Sequence, residues 1–241
     1  MTVGERALGE PLIVELPGAR ATFTTRHGGV SQGPYRSLNL GRLTDDDPDA
    51  VRRNRELVTE RIGMPLAMIR QVHAAEVRRL VQRPRTGEPL PEADGQATAT
   101  AGVAPMVLTA DCLPIAVAGG GAAAILHAGW RGLAAGVIEA GVDAIRELGE
   151  GGRLEAVIGP GAGPCCYEVG EDVHATFASY GPAARRGRNL DLKSIARIQL
   201  ERAGVDAVGD VGLCTICSEE FFSHRRDRGI TGRQAGIVWL N

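Results

Sequence analysis

Three segments far apart in the chain, Gln71-Val72-His73, Thr109-Ala110-Asp111-Cys112 and Leu126-His127-Ala128-Gly129-Trp130-Arg131-Gly132, each close an apolar run with a residue able to ligate a metal. The runs read as strands, and side chains at neighbouring strand ends can converge on one point. Two imidazoles and one thiolate fill three corners of a zinc tetrahedron and leave the fourth open, as a catalytic zinc requires and a structural zinc avoids. A Cys or His at a strand end is commonly a packed core residue. Here each is flanked by polar residues or glycines that no core requires, so the pattern points to an enzyme.

Along the chain, residues 21–25 read as a strand entering the loop Arg26-His27-Gly28-Gly29, where a guanidinium and glycine-freed amides can gather an anion. Asp47-Pro48 starts a helix that Gly63 stops. Residues 67–72 are expected to form a strand ending at His73, 77–81 another, and 83–93 a loop rich in proline and charge. Asp94-Gly95 is a turn signal, and residues 103–109 read as a buried strand. Cys112 falls where that strand breaks from the next, which Pro114 keeps extended through 115–117. Asp111 beside it is suited to moving protons, orienting a ligand or capping a turn. After the strand at 122–126, Leu133, Val137, Gly141, Ala144, Ile145 and Leu148 give one helix an apolar face, so residues 128–132 lead into its N-terminus. With Arg131 beside it, that end is expected to attract phosphate or carboxylate.

A chain of 241 residues can bury a full core, and no second domain is marked, so residues 1–241 are expected to form one domain. The formal charge of −2 leaves no footprint for nucleic acid or an anionic membrane. No apolar run is long enough to span a bilayer and no signal peptide is recognisable, which makes a cytoplasmic protein acting on small polar substrates the expectation. Nothing marks an oligomer interface. The five cysteines, two of them adjacent at Cys165 and Cys166, fit reduced thiols better than a disulfide framework. Cys214-Thr215-Ile216-Cys217 is half of a structural zinc site; the adjacent pair need not face one way, so a partly buried dithiol is expected. Arg185, Arg186 and Arg188 read as a solvated basic patch, and Asp191 as the cap of a helix over 192–203.

These segments, with Ser37-Leu38-Asn39-Leu40-Gly41, Ala93-Asp94-Gly95, Ile158-Gly159-Pro160 and Gly232-Arg233-Gln234-Ala235-Gly236, form a specific set. From about Thr22 onward the chain resembles the YfiH-type family, whose members have been called laccase-domain proteins, multicopper polyphenol oxidases, purine nucleoside phosphorylases and peptidoglycan editing factors. The resemblance implies an α+β fold, a four-layer α/β/β/α sandwich with mixed sheets, carrying one zinc on His73, Cys112 and His127. It implies phosphorolysis of adenosine, inosine, guanosine or methylthioadenosine, deamination of adenosine, and Arg26 and Asn39 as substrate or phosphate contacts. The chain departs from the family at Ala74, Gly161, Ile216 and His224. None of these is a proposed ligand, although Gly161 weakens a redox or metal role for the 159–166 loop.

The resulting expectation is a zinc enzyme in which Cys112, His127, His73 and Asp111 carry the chemistry and Arg26, Asn39 and Arg131 hold substrate. Its partners are purine nucleosides and phosphate. A rival reading makes Cys112 a nucleophile and His127 its base, cutting an amide in a cell-wall precursor. Copper oxidation is disfavoured, because a trinuclear copper cluster needs many histidines beyond the five in the chain.

Overall fold

The computed structural model describes residue 7 and residues 9–84 and 87–241. The chain opens with the hairpin β1 (Leu12–Leu16) and β2 (Ala19–Phe23), then helix α1 (Pro48–Ile62) and the short strands β3 (Leu66–Ala67) and β4 (Val77–Arg79). Four strands follow: β5 (Gly95–Thr98), β6 (Ala104–Thr109), β7 (Leu113–Gly119) and β8 (Ala122–Ala128). Helices α2 (Trp130–Ala135) and α3 (Val137–Leu148) lead to β9 (Glu155–Ile158) and α4 (Glu171–Thr176). The small hairpin β10 (Arg185–Arg186) and β11 (Asn189–Leu190), helix α5 (Leu192–Arg202), β12 (Ala207–Asp210) and β13 (Gln234–Leu240) complete the chain.

Two mixed sheets result, ordered β1-β2-β13-β6-β3 and β12-β9-β7-β8-β5-β4. Strand alternation assigns each face. Ile115 and Val117 of β7 and Ala124 and Leu126 of β8 pack under Val142, Ile145 and Ile195 of α3 and α5. Ala116, Ala123 and Ile125 point the other way, onto Phe23, Val107 and Val238 of the facing sheet. Burying a residue such as Ile125 contributes about 1.5–3 kcal/mol. Val58 of α1 covers the outer face of the first sheet against Leu40, Met106 and Ile237. This is the expected α/β/β/α sandwich, and among the described residues no helix is long and apolar enough to cross a membrane.

The caps behave as the sequence indicates. The Asp47 carboxylate accepts from the Asp49 amide at 2.9 Å, and Asp191 accepts from the Ser194 amide at 3.0 Å to open α5. Three local expectations are corrected. The strand expected over 67–72 is only Leu66–Ala67, because beyond it the Gln71 side chain takes over the pairing. Its amide donates to the Leu108 carbonyl and accepts from the Leu108 amide, both at 2.8 Å. Asp94-Gly95 does not turn the chain; Gly95 starts the fully buried β5. The single helix expected after residue 132 is two helices, broken at Gly136, which sits at φ 91 and ψ 30. Arg185, Arg186 and Arg188 are exposed, as the solvated-patch reading expects, and pair at the surface with Glu171, Asp191 and Glu168.

Candidate metal centre

His127 lies in β8 directly opposite Pro114 of β7, on the side facing the other sheet, and Cys112 precedes β7 at the same end. His73 arrives from the segment that Gln71 ties to β6. Donor atoms of His73, Cys112 and His127 lie within 4.8 Å of one another, and the two imidazole rings meet edge to face with centroids 4.8 Å apart. Gly129 keeps room for the sulfur: a Cβ there would stand 2.7 Å from Cys112 Sγ.

One buried carboxylate organises the group. Asp94 accepts from the backbone amides of Val72, His73 and Ala74 at 3.2, 3.0 and 2.7 Å, which holds His73 at a positive φ of 61°. The same carboxylate meets His127 Nδ1 at 2.8 Å, so Nδ1 keeps its proton toward Asp94 and Nε2 is the ring nitrogen left to face Cys112 or an ion. Burial pushes Asp94 up, but the His127 and backbone hydrogen bonds outweigh it and hold its carboxyl below the usual range. Burial also pushes the Cys112 thiol up, yet His127 and His73 bring it down to about 6. His127, despite burial, is raised to about 9 by Cys112 and Asp94. A thiolate beside two imidazoles is a soft and borderline donor set that fits zinc, and exposed His73 leaves one side open to solvent.

The remaining expected residues are placed less uniformly. Asp111, at φ 89, accepts from Thr215 Oγ1 and from the Arg225 amide, both at 2.7 Å, so each carboxylate oxygen already holds a segment of the chain. Asn39 is fully buried, with its amide donating to Thr44 and Asp46 and accepting from the amides of Gly41 and Arg233. Every polar atom of that side chain is engaged, which makes it a brace for the 39–46 loop. Arg26 stacks on Phe222 and donates to the Arg36 carbonyl. Arg131 is exposed, with its guanidinium 4.3 Å from the Trp130 ring. The helix end beside it opens α2, which has 6 residues.

Sequence reasoning missed Asp94, read there as a turn, and two arginines. Arg225 lies over Tyr167 at 5.0 Å, and Tyr167 is close enough to Cys112 to feel its charge. Burial pushes Arg233 down, while Cys112 and Asp111 oppose the shift from nearby. Both Asp94 and Arg233 fall within the segments that carry the family resemblance, which was the available signal. Two concavities of about 290 and 310 Å³ lie elsewhere, one against Cys165 and Cys214, the other beside His174 and Phe177.

Two sheets with a pair of imidazoles and a thiolate at their common end, backed by a buried carboxylate, define a mixed-sheet sandwich protein built around a candidate metal centre. A family model described as multi-copper polyphenol oxidoreductase laccase matches residues 20–241. A purine nucleoside phosphorylase of Streptomyces coelicolor is 44% identical over 235 residues, covering 93% of this chain and 96% of that protein. A protein of Escherichia coli named purine nucleoside phosphorylase YfiH is 38% identical over 237 residues, covering 92% and 94%. Among solved structures, YlmD from Geobacillus stearothermophilus superposes with a TM-score of 0.89 at 33% identity, covering 99% of each chain. A Neisseria meningitidis protein of family DUF152 does so with a TM-score of 0.85 at 38% identity, covering 96% and 99%. The chain belongs to this YfiH-type, laccase-like family.

Proposed function

We propose that this chain is a zinc-dependent purine nucleoside phosphorylase that takes adenosine, inosine, guanosine or methylthioadenosine with phosphate, and that it also deaminates adenosine. The observation that carries this reading is the convergence of His73, Cys112 and His127 on one point with Asp94 behind them. The names of the relatives support the substrate class. Zinc held by these three residues would supply Lewis-acid charge toward phosphate or water. Asp94 fixes the His127 tautomer and aims Nε2 at the shared point. Arg233 and Arg131 bring positive charge to the same region, where phosphate must be gathered beside the ribose. Asp111 acts as a positioning residue, tying Cys112 to the segments of Thr215 and Arg225.

The test is product analysis on a nucleoside panel with and without phosphate. Wild-type protein is expected to release ribose 1-phosphate only when phosphate is present, and to form inosine from adenosine without it. Cys112→Ala is expected to lose both activities; full turnover by that variant would remove the site from the reaction.

One observation favours a second reading. Cys112 Sγ lies within 4.8 Å of the donor nitrogen of buried His127, which with His73 holds the thiol below its ordinary range, an arrangement also found in a cysteine nucleophile paired with a base and suited to cleaving an amide in a cell-wall precursor. A thioester trapped on Cys112 in metal-free active protein would support it, and stoichiometric zinc on Cys112 in active protein would contradict it.

A further inference from the structure

The other four cysteines form a second cluster, well separated from the first in sequence and in its donor chemistry. The sequence leaves Cys214 and Cys217 as a dithiol without a partner pair, but the fold brings Cys165 and Cys166 to them. All four Sγ atoms lie within 4.8 Å of one another. Cys166 Sγ stands 2.9 Å from Cys217 and 3.5 Å from Cys165, and Cys165 stands 3.4 Å from Cys217. Four sulfurs around a tetrahedral ion at about 2.3 Å are about 3.8 Å apart; the three pairs above are closer than that, and all four sulfurs stay within 4.8 Å, so a small outward shift of the thiols admits the ion. Each recorded separation exceeds the length of a disulfide bond, about 2.05 Å.

The backbone is arranged to suit. Gly161 and Cys214 form a parallel bridge that sets the loop after β9 against the Cys-x-x-Cys turn after β12. The Gly163 amide donates to Cys214 Sγ at 3.2 Å, and the amides of Ile216 and Cys217 reach the same sulfur. Amides directed at the first sulfur of a Cys-x-x-Cys turn stabilise it as a thiolate. Four thiolates on a divalent cation carry a net charge of −2; Arg186, Lys193 and Arg197 line the concavity shared with Cys165 and Cys214, where Arg186 and Lys193 pair with Asp191 and Asp210, leaving Arg197 to offset part of that charge.

We propose that Cys165, Cys166, Cys214 and Cys217 form a second metal site, a closed tetrathiolate that takes zinc. On binding, four S–H bonds break, four protons pass to solvent and four zinc–sulfur bonds form, with no change in oxidation state. With all four positions filled by protein the site has no room for substrate, so its work is structural. It clamps the 159–169 loop to the 211–218 turn. Thr215, inside that turn, donates to Asp111 Oδ1 at 2.7 Å, so the clamp braces the segment that presents Cys112.

The experiment is zinc analysis and zinc X-ray absorption on full-length protein purified with zinc under reducing conditions, as wild type, Cys112→Ala and the double variant Cys214→Ser/Cys217→Ser. Wild type is expected to hold two zinc ions per chain. Cys112→Ala is expected to retain one in an all-sulfur shell with Zn–S near about 2.3 Å. The double variant is expected to retain one in a mixed nitrogen and sulfur shell. Loss of all zinc from Cys112→Ala, or complete alkylation of all four thiols in zinc-loaded native wild type, would overturn the proposal. If the double variant fails to fold, the Cys112→Ala spectrum still decides. Failure of the first site alone leaves one all-sulfur zinc in wild type, whereas failure of this one leaves one mixed-ligand zinc, so the two outcomes are distinct.

Discussion

With one carboxylate Asp94 caps three consecutive amides around His73 and orients the His127 ring, so a single buried residue places two of the three donors. Asp94→Asn keeps the shape but alters what the His127 Nδ1 proton meets. It is expected to lower zinc affinity at the triad by about 10–100-fold, read by chelator competition on a Cys214→Ser/Cys217→Ser background. Unchanged affinity would mean that Asp94 only shapes the loop. The three donors were legible in the sequence because each ends an apolar run beside residues a core does not need. Asp94 was not, because an Asp followed by Gly has the local chemistry of a turn, and only the pairing of Gly95 with Leu126 of β8 turns it into the start of a strand. Cys165 and Cys166 were opaque for a related reason: whether adjacent side chains face a distant Cys-x-x-Cys depends on a bridge between Gly161 and Cys214 that no local pattern encodes.

Elements with their own punctuation came through intact. The helices α1 and α5 carry Asp caps, and the apolar runs of β7 and β8 are too continuous to be anything but buried strands. Elements decided by long-range pairing did not, as the short β3 and the Gln71 side chain in its place illustrate. The break between α2 and α3 belongs here as well. The apolar spacing from Leu133 to Leu148 suits one helix, but Gly136 takes a left-handed conformation at φ 91 that lets α2 start at Trp130 and α3 lie over β8. Gly136→Ala is expected to cost about 1–2 kcal/mol in urea unfolding, the penalty for a side chain in that region. A variant as stable as wild type would show that the chain can run one continuous helix there.

At the scale of the whole molecule, two sheets share a core while the segment from Phe221 to Gln234 closes over their end. Phe221 is buried in the inter-sheet core, and Asp227 fastens the loop behind it by pairing with Arg226 and accepting from Thr231. Burial pushes the Asp227 carboxyl up, but Arg226, Thr231 and the Ser223 amide outweigh this and hold it below the usual range. A depressed folded pKa contributes stability that is fully present above the unfolded value of about 3.9 and is lost as pH falls through the folded value. Asp227→Asn is therefore expected to be less stable than wild type at neutral pH, with the difference shrinking below about pH 4. Chemical denaturation across that range reads it, and a difference independent of pH would assign the loss to packing instead of charge.

The central claim is that His73, Cys112 and His127 share one ion. Anomalous diffraction at the zinc absorption edge, on crystals of the full chain grown with zinc, tests it most directly. The account expects a peak bounded by Cys112 Sγ, His127 Nε2 and a ring nitrogen of His73, with the Asp94 carboxylate behind His127. A map with the three side chains ordered as described and no peak between them would contradict it.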